Sequence, residues 1–108
     1  DKDRKLKQAE IEAVKEIKCY YKDIRSLTGI EYFTALQTLK CYSNQLTSLD
    51  ISENTALKSL DCAKNQLAAL DVSQNTALES LDCADNQLTT LDVSRNTALN
   101  LWTAPRTN

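Results

Sequence analysis

Leu36, Leu57, Leu78 and Leu99 stand 21 residues apart, and most residues between them return at the same offset. Three regular units read LQTLKCYSNQLTSLDISENTA (36–56), LKSLDCAKNQLAALDVSQNTA (57–77) and LESLDCADNQLTTLDVSRNTA (78–98). A unit this short cannot enclose a core of its own. It is buried only by the units before and after it, so the chain must stack its repeats as a solenoid. An irregular copy, VKEIKCYYKDIRSLTGIEYFTA (14–35), precedes them and is one residue longer. In it Val14, Ile17, Cys19, Ile24 and Leu27 take the places of Leu36, Leu39, Cys41, Leu46 and Leu49. A fifth unit starts at Leu99, with Trp102 where Leu81 would recur and Ala104 where Cys83 would.

Within each unit the apolar pattern has period two. In TLKCY (38–42) Leu39 and Cys41 alternate with polar neighbours, and in SLDIS (48–52) Leu49 and Ile51 do the same. Such alternation specifies a strand with one buried face. Two extended sides per coil predict two parallel sheets, and parallel crossovers are right-handed. The alternative is one regular sheet with an irregular opposite side.

The motif L-x-x-L-x-C-x-x-N-x-L stands at Leu36–Leu46, Leu57–Leu67 and Leu78–Leu88. It resembles the leucine-rich repeat family, over residues 14–104. Leu46-x-x-Leu49-x-Ile51-x-x-Asn54 echoes Leu36-x-x-Leu39-x-Cys41-x-x-Asn44 ten residues on. This looks like the nested 21-residue bacterial class, of the Bacteroidetes-type surface proteins. The resemblance implies a bacterial interaction protein, extracellular or anchored at the cell surface. The fold class is then a mainly β solenoid, a right-handed leucine-rich repeat coil with short parallel strands and an N-terminal α-helical cap.

The cap is read from Leu6, Ala9, Ala13, Val14 and Ile17, which share one face of a helix over residues 4–17. Residues 1–13 are thus the cap, with its helix running to about 17. Residues 14–98 form four coils, and 99–108 a truncated fifth repeat and tail. Trp102 is expected to shield the back end, whose last strand keeps unpaired backbone groups. Edge-to-edge self-association through that open C-terminal edge follows at high concentration. With no Met at position 1 the chain reads as a processed or excised segment, and neither a signal peptide nor a membrane-length apolar run is present.

Turns need residues that tolerate positive φ, and the chain has one Gly, Gly29, and one Pro, Pro105. Asn is the next candidate. Asn44, Asn65 and Asn86 end one side of each coil, and Asn54, Asn75 and Asn96 end the other. Both rows read as ladders whose amides satisfy buried turn backbone.

Cys19, Cys41, Cys62 and Cys83 have zinc-like number but not zinc-like spacing, and the chain has no His. The repeat stacks them at one inward position about 4.8 Å apart, with side chains pointing the same way. Their Cβ atoms are held beyond the roughly 3.5–4.5 Å that a disulfide prefers. Four free, buried, inert thiols are expected, with pKa values raised by burial.

Asp50, Asp71 and Asp92 form an acidic row, read as caps on turns near Ser52, Ser73 and Ser94. Asp1, Asp3, Leu6 and Glu10 resemble the second part of an EF-hand loop, but Arg4 stands at the required Gly position and Lys5 at the carbonyl position. No metal or other cofactor is therefore assigned, and Asp3 reads as a helix cap. A formal net charge of −2 without a basic stripe argues against nucleic acid. No nucleophile has a base partner and no Gly-rich phosphate loop exists, so an enzyme is not expected.

The outward residues of the first strand are the binding candidates. Coil by coil they are Glu16, Lys18, Tyr20; Thr38, Lys40, Tyr42; Ser59, Asp61, Ala63; and Ser80, Asp82, Ala84. Lys18, Tyr20, Lys40 and Tyr42 make one half basic and aromatic, while Asp61 and Asp82 make the other acidic. Exposed Tyr beside Lys is a typical anchor for a partner. The expected function is a non-catalytic module binding a protein or glycan on a host or neighbouring cell surface, without membrane insertion. The alternatives are a structural spacer with no ligand, and a calcium-dependent adhesion module.

Overall fold

The computed structural model of the chain describes residues 8–103. Helix α1 (Gln8–Ala13) leads into strand β1 (Glu16–Lys18), followed by a 3-10 turn (Ile30–Tyr32). Strands β2 (Thr38–Lys40), β3 (Ser59–Asp61), β4 (Ser80–Asp82) and β5 (Leu101–Thr103) complete the order. The strands form one parallel sheet in the sequence order β1-β2-β3-β4-β5. Ile17, Leu39, Leu60, Leu81 and Trp102 are in register across it.

Each coil drops the same side chains into the same layer. Leu36, Leu57 and Leu78 are buried, as are Leu39, Leu60 and Leu81, and Leu46, Leu67 and Leu88. Ile17, Cys19, Ile24 and Leu27 at one end, and Leu91, Val93 and Leu99 at the other, are only partly buried. An end coil has a neighbour on one side only. At the back, Trp102 sits in the Leu81 column but stays 41% exposed, and Leu101 stays 68% exposed.

The helix is shorter than expected. It ends at Ala13, and Ile17 lies in β1, paired with Leu39. The sheet claims Ile17 because its backbone can join a ladder there, which a helix running to 17 would forgo. The expected residues 4–7 of that helix, and the Asp1–Asp3 segment, lie outside the described residues, as does Ala104.

The second sheet does not form either. Residues 48–52 and their counterparts have no strand. Asp50 Oδ1 accepts the Ser52 N–H at 3.0 Å, and the Asn54 N–H turns back to the Ile51 carbonyl at 3.0 Å. Asp71 and Asp92 take the N–H of Ser73 and Ser94 in the same way, each at 2.9 Å. Donors spent on local turns are not available to a neighbouring coil. The alternation of Leu49 and Ile51 therefore buries side chains on an irregular side.

Positive φ also falls elsewhere than on Asn. It is found at Ser43 (57°), Lys64 (56°) and Asp85 (58°), one residue before each Asn of the first ladder. This leaves the Asn side chain free to fold inward as a cap. Asn44, Asn65 and Asn86 then saturate their amides. Asn65 Nδ2 donates to the Cys41 and Cys62 carbonyls at 3.0 and 3.1 Å, and its Oδ1 accepts the Leu46 N–H at 3.0 Å. The other ladder is half-used. Asn75 Nδ2 donates to the Ile51 and Asn54 carbonyls, but Oδ1 of Asn54, Asn75 and Asn96 is buried without a protein partner.

The extra residue of the first coil can be located. Ile24 and Leu46 offer equivalent carbonyls to Gln45 and Gln66, an offset of 22. Ile30 and Ile51 offer equivalent carbonyls to Asn54 and Asn75, an offset of 21. The insertion lies between Ile24 and Ile30, where Gly29 adopts φ 106°.

Candidate functional site

The sheet's outward face carries the sequence-predicted residues in columns. Register places Lys18 beside Lys40, Lys40 beside Asp61, and Asp61 beside Asp82. Two residues along the chain, Tyr20 and Tyr42 stack with ring centroids 4.7 Å apart and planes 10° from parallel. Ala63 and Ala84 continue that position in the next coils, small and buried. So all six predicted residues lie on one face, in two zones.

The sequence reading passed over a third ring. Tyr21 packs edge-on against Tyr20 at 6.1 Å and against Tyr42 at 5.6 Å, and is 69% exposed. Its φ of 56° turns it out of the strand alternation and over the stacked pair. The adjacent YYK (20–22) was the available signal. Aromatic pairs in such offset and T-shaped arrangements add roughly 0.5–1.5 kcal/mol beyond the area they bury. Tyr42 has its phenol pushed up by partial desolvation and then by Tyr20 and Tyr21.

The acidic zone is built differently. Asp61 Oδ1 accepts the Ala63 N–H at 3.2 Å, and Asp82 Oδ1 accepts the Ala84 N–H at 3.1 Å. Burial pushes the Asp61 carboxyl up, against the Ala63 bond, with Asp82 adding and Lys40 opposing. A depression of about 330 Å³ lies here, lined by Asp61, Ser80, Asp82, Leu101 and Trp102 among others. In the basic zone, Lys18 Nζ lies 3.7 Å from Glu16 Oε1.

On the irregular side, Leu70 and Leu91 line a second depression of about 290 Å³ with Asp71 and Asp92. Sequence reasoning read the Asp row of this side as turn caps, with calcium binding as the alternative. The Asp50, Asp71 and Asp92 carboxyls are held below the ordinary range by the serine hydroxyl and then the serine N–H two residues on. They act as turn caps. Among the described residues, no cluster of three or more His, Cys, Asp or Glu side chains is arranged to hold a metal. No helix there is long and apolar enough to cross a membrane.

Inside the sheet, all four cysteines are free thiols. Cys41, Cys62 and Cys83 are fully buried, while Cys19, in the end coil, is half-buried rather than buried as expected. Burial pushes Cys41 up to about 12 and Cys83 up to about 11, and Cys62 well above its ordinary value. Neutral thiols in an apolar column pack as small apolar groups.

Comparison with known proteins agrees with this architecture. A functional domain of InlJ from Listeria monocytogenes, described as including a cysteine ladder, superposes with TM-score 0.86 and 41% identity. That match covers 89% of this chain and 21% of the InlJ chain, so the chain spans about a fifth of that structure. Internalin C2 from the same organism gives TM-score 0.82 at 19% identity, over 95% of this chain and 48% of its own. Internalin InlF gives 0.75 at 20% identity, over 90% of this chain and 36% of its own. At these last two identities the likeness is one of fold. No curated protein sequence matches the chain. The family profile for Leucine Rich repeats (2 copies) matches residues 34–75 and 55–101, and with the stacked Leu, Cys and Asn columns this makes the chain a member of the leucine-rich repeat family.

Proposed function

We propose that this chain is a non-catalytic protein-interaction segment of a secreted or surface-anchored bacterial leucine-rich repeat protein, and that it binds through the outward face of its sheet. One observation carries the reading: three tyrosines, Tyr20, Tyr21 and Tyr42, converge at one end of that face beside Lys18 and Lys40. Rigid aromatic side chains next to a basic group present large contact area at low entropic loss, the composition that dominates protein-binding hot spots. The parallel sheet holds them from below, so they need little ordering on binding. The nested 21-residue repeat and the likeness to the Listeria structures support a bacterial source.

A phage-displayed peptide library panned on the immobilised chain tests this. Clones should be enriched on the natural chain and lost on a Tyr20→Ala/Tyr42→Ala variant that melts at an unchanged temperature. No enrichment, or clones indifferent to the two substitutions, would refute the strand face as the interaction surface.

A further inference from the structure

Resting on that reading of the strand face, we propose that the face takes a second copy of the same chain, docked with its coil order reversed, with Lys18 opposite Asp82 and Lys40 opposite Asp61 of the other copy.

The order of charges is the starting point. Lys18, Lys40, Asp61 and Asp82 occupy one column in consecutive strands. Neighbours in such a column are about 4.8 Å apart, and like charges side by side in a sheet are unfavourable. An alternating order would neutralise every neighbour. This chain instead places two lysines together and two aspartates together, and Lys40 and Asp61 close no ion pair with each other. Within one molecule Lys18 meets only Glu16 of its own strand, and Lys40 offsets Asp61 only in part. Burial is the main cause of the raised Asp61 carboxyl, with Asp82 adding to it and Lys40 opposing.

Between two molecules the order is self-complementary. A two-fold axis parallel to the strands, passing between β2 and β3, turns the face onto itself. It reverses the order of coils and keeps the direction of strands, so β1 faces β4 and β2 faces β3. Each lysine then meets an aspartate, and each kind of pair occurs twice, as an isologous interface requires. The axis in any other position leaves like charges opposed. The neighbouring position obeys the same symmetry: Tyr20 and Tyr42, the bulky half, come to lie over Ala84 and Ala63, the flat half. Lys18 of the second copy enters the depression of about 330 Å³ beside Asp82. Two independent columns, one of charge and one of size, fit the same axis.

The face measures roughly 20 by 17 Å, well below the ~800 Å² per partner of a standard interface, so the pairing is weak and concentration-dependent.

Sedimentation equilibrium on the full chain tests the pairing. At about 1 mM the natural chain should weigh well above a monomer, and as a monomer in about 1 M NaCl. Lys40→Asp and Asp61→Lys, each folded by circular dichroism, should each be monomeric alone. An equimolar mixture of the two should recover the dimer, because each variant restores the other's pairs. If either variant fails to fold, Lys18→Asp with Asp82→Lys repeats the logic. A monomeric natural chain at that concentration overturns the proposal. So does a mixture that stays monomeric, or a dimer indifferent to the substitutions, which would place self-association at the open β5 edge instead. Peptide binding that needs Tyr20 and Tyr42 on a monomeric chain keeps the strand-face reading and removes only the self-pairing.

Discussion

Asn65 Oδ1 accepts the Leu46 N–H of the preceding coil at 3.0 Å, while its Nδ2 reaches the carbonyls of Cys41 and Cys62. With a further bond to the Ala63 carbonyl, one side chain thus meets four buried backbone groups across two coils. Asn75, on the other side, closes two carbonyls and leaves its own Oδ1 unpaired.

The two ladders should therefore differ in weight. Asn65→Ala strands the Leu46 N–H in the core, at about 1–3 kcal/mol, while the Cys41 and Cys62 carbonyls keep the Nδ2 donors of Asn44 and Asn86. Asn75→Ala strands no donor, since the Ile51 and Asn54 carbonyls keep the N–H groups of Asn54 and Leu57, and it removes an orphaned oxygen, so its loss should be smaller by roughly 1–2 kcal/mol. Urea melts of the two variants, side by side, measure the difference. Equal losses would mean that the Leu46 N–H finds another partner.

Lys64 has φ 56° and donates its N–H to the Ala84 carbonyl at 2.9 Å. A left-handed L-residue is strained by roughly 1–2 kcal/mol, which Gly escapes. After allowing for the greater unfolded freedom of Gly, Lys64→Gly should stabilise by about 0.5–1 kcal/mol. Lys64→Val keeps the N–H donor but adds a β-branch, and should destabilise by about 1–2 kcal/mol. Thermal melts of both variants check the sign.

These positions also show where sequence legibility stops. The buried columns of Leu, Ile and Cys were readable, because offset and period two fix which side chains meet inside. The irregular side was misread, since Leu49 and Ile51 alternate like a strand but Asp50 takes the Ser52 N–H locally. Composition pointed to Asn for the left-handed turns. The structure gives them to Ser43, Lys64 and Asp85, because each following Asn is needed as a cap. The face columns of Lys18, Lys40, Asp61 and Asp82 were legible from the repeat. The third tyrosine was not, because its placement depends on one backbone angle in the irregular first coil.

Two aspartates should respond to acid in opposite senses. The Ser73 hydroxyl, then its N–H, hold the Asp71 carboxyl below the ordinary value of 3.8. Its contribution to stability is present above that value and lost as pH falls through the lower folded one. Burial raises Asp61, so it favours the fold only when protonated and opposes it at neutral pH. Asp71→Asn should lower, and Asp61→Asn raise, the urea midpoint at about pH 7, with both differences shrinking at about pH 3. Parallel shifts of the same sign would contradict the assignment.

At the alkaline end the cysteines decide. An unfolded thiol ionises near 9.0, whereas Cys41 is held to about 12 and Cys62 is also held well above the ordinary value. Between those values the unfolded chain has released protons that the folded one retains. The stabilisation conferred by neutral, buried thiols is thus complete below about pH 9 and falls as pH rises, by about 1.4 kcal/mol per unit for each such thiol. The fall should be smaller in a Cys41→Ala/Cys62→Ala variant of lower starting stability, where Cys83, held to about 11, keeps the remainder. The same burial sets reactivity: at about pH 8 a disulfide reagent should modify half-buried Cys19 first, and Cys41, Cys62 and Cys83 only after urea opens the stack. Four thiols reacting at one rate in the folded chain would mean that the sulfur column is open to water.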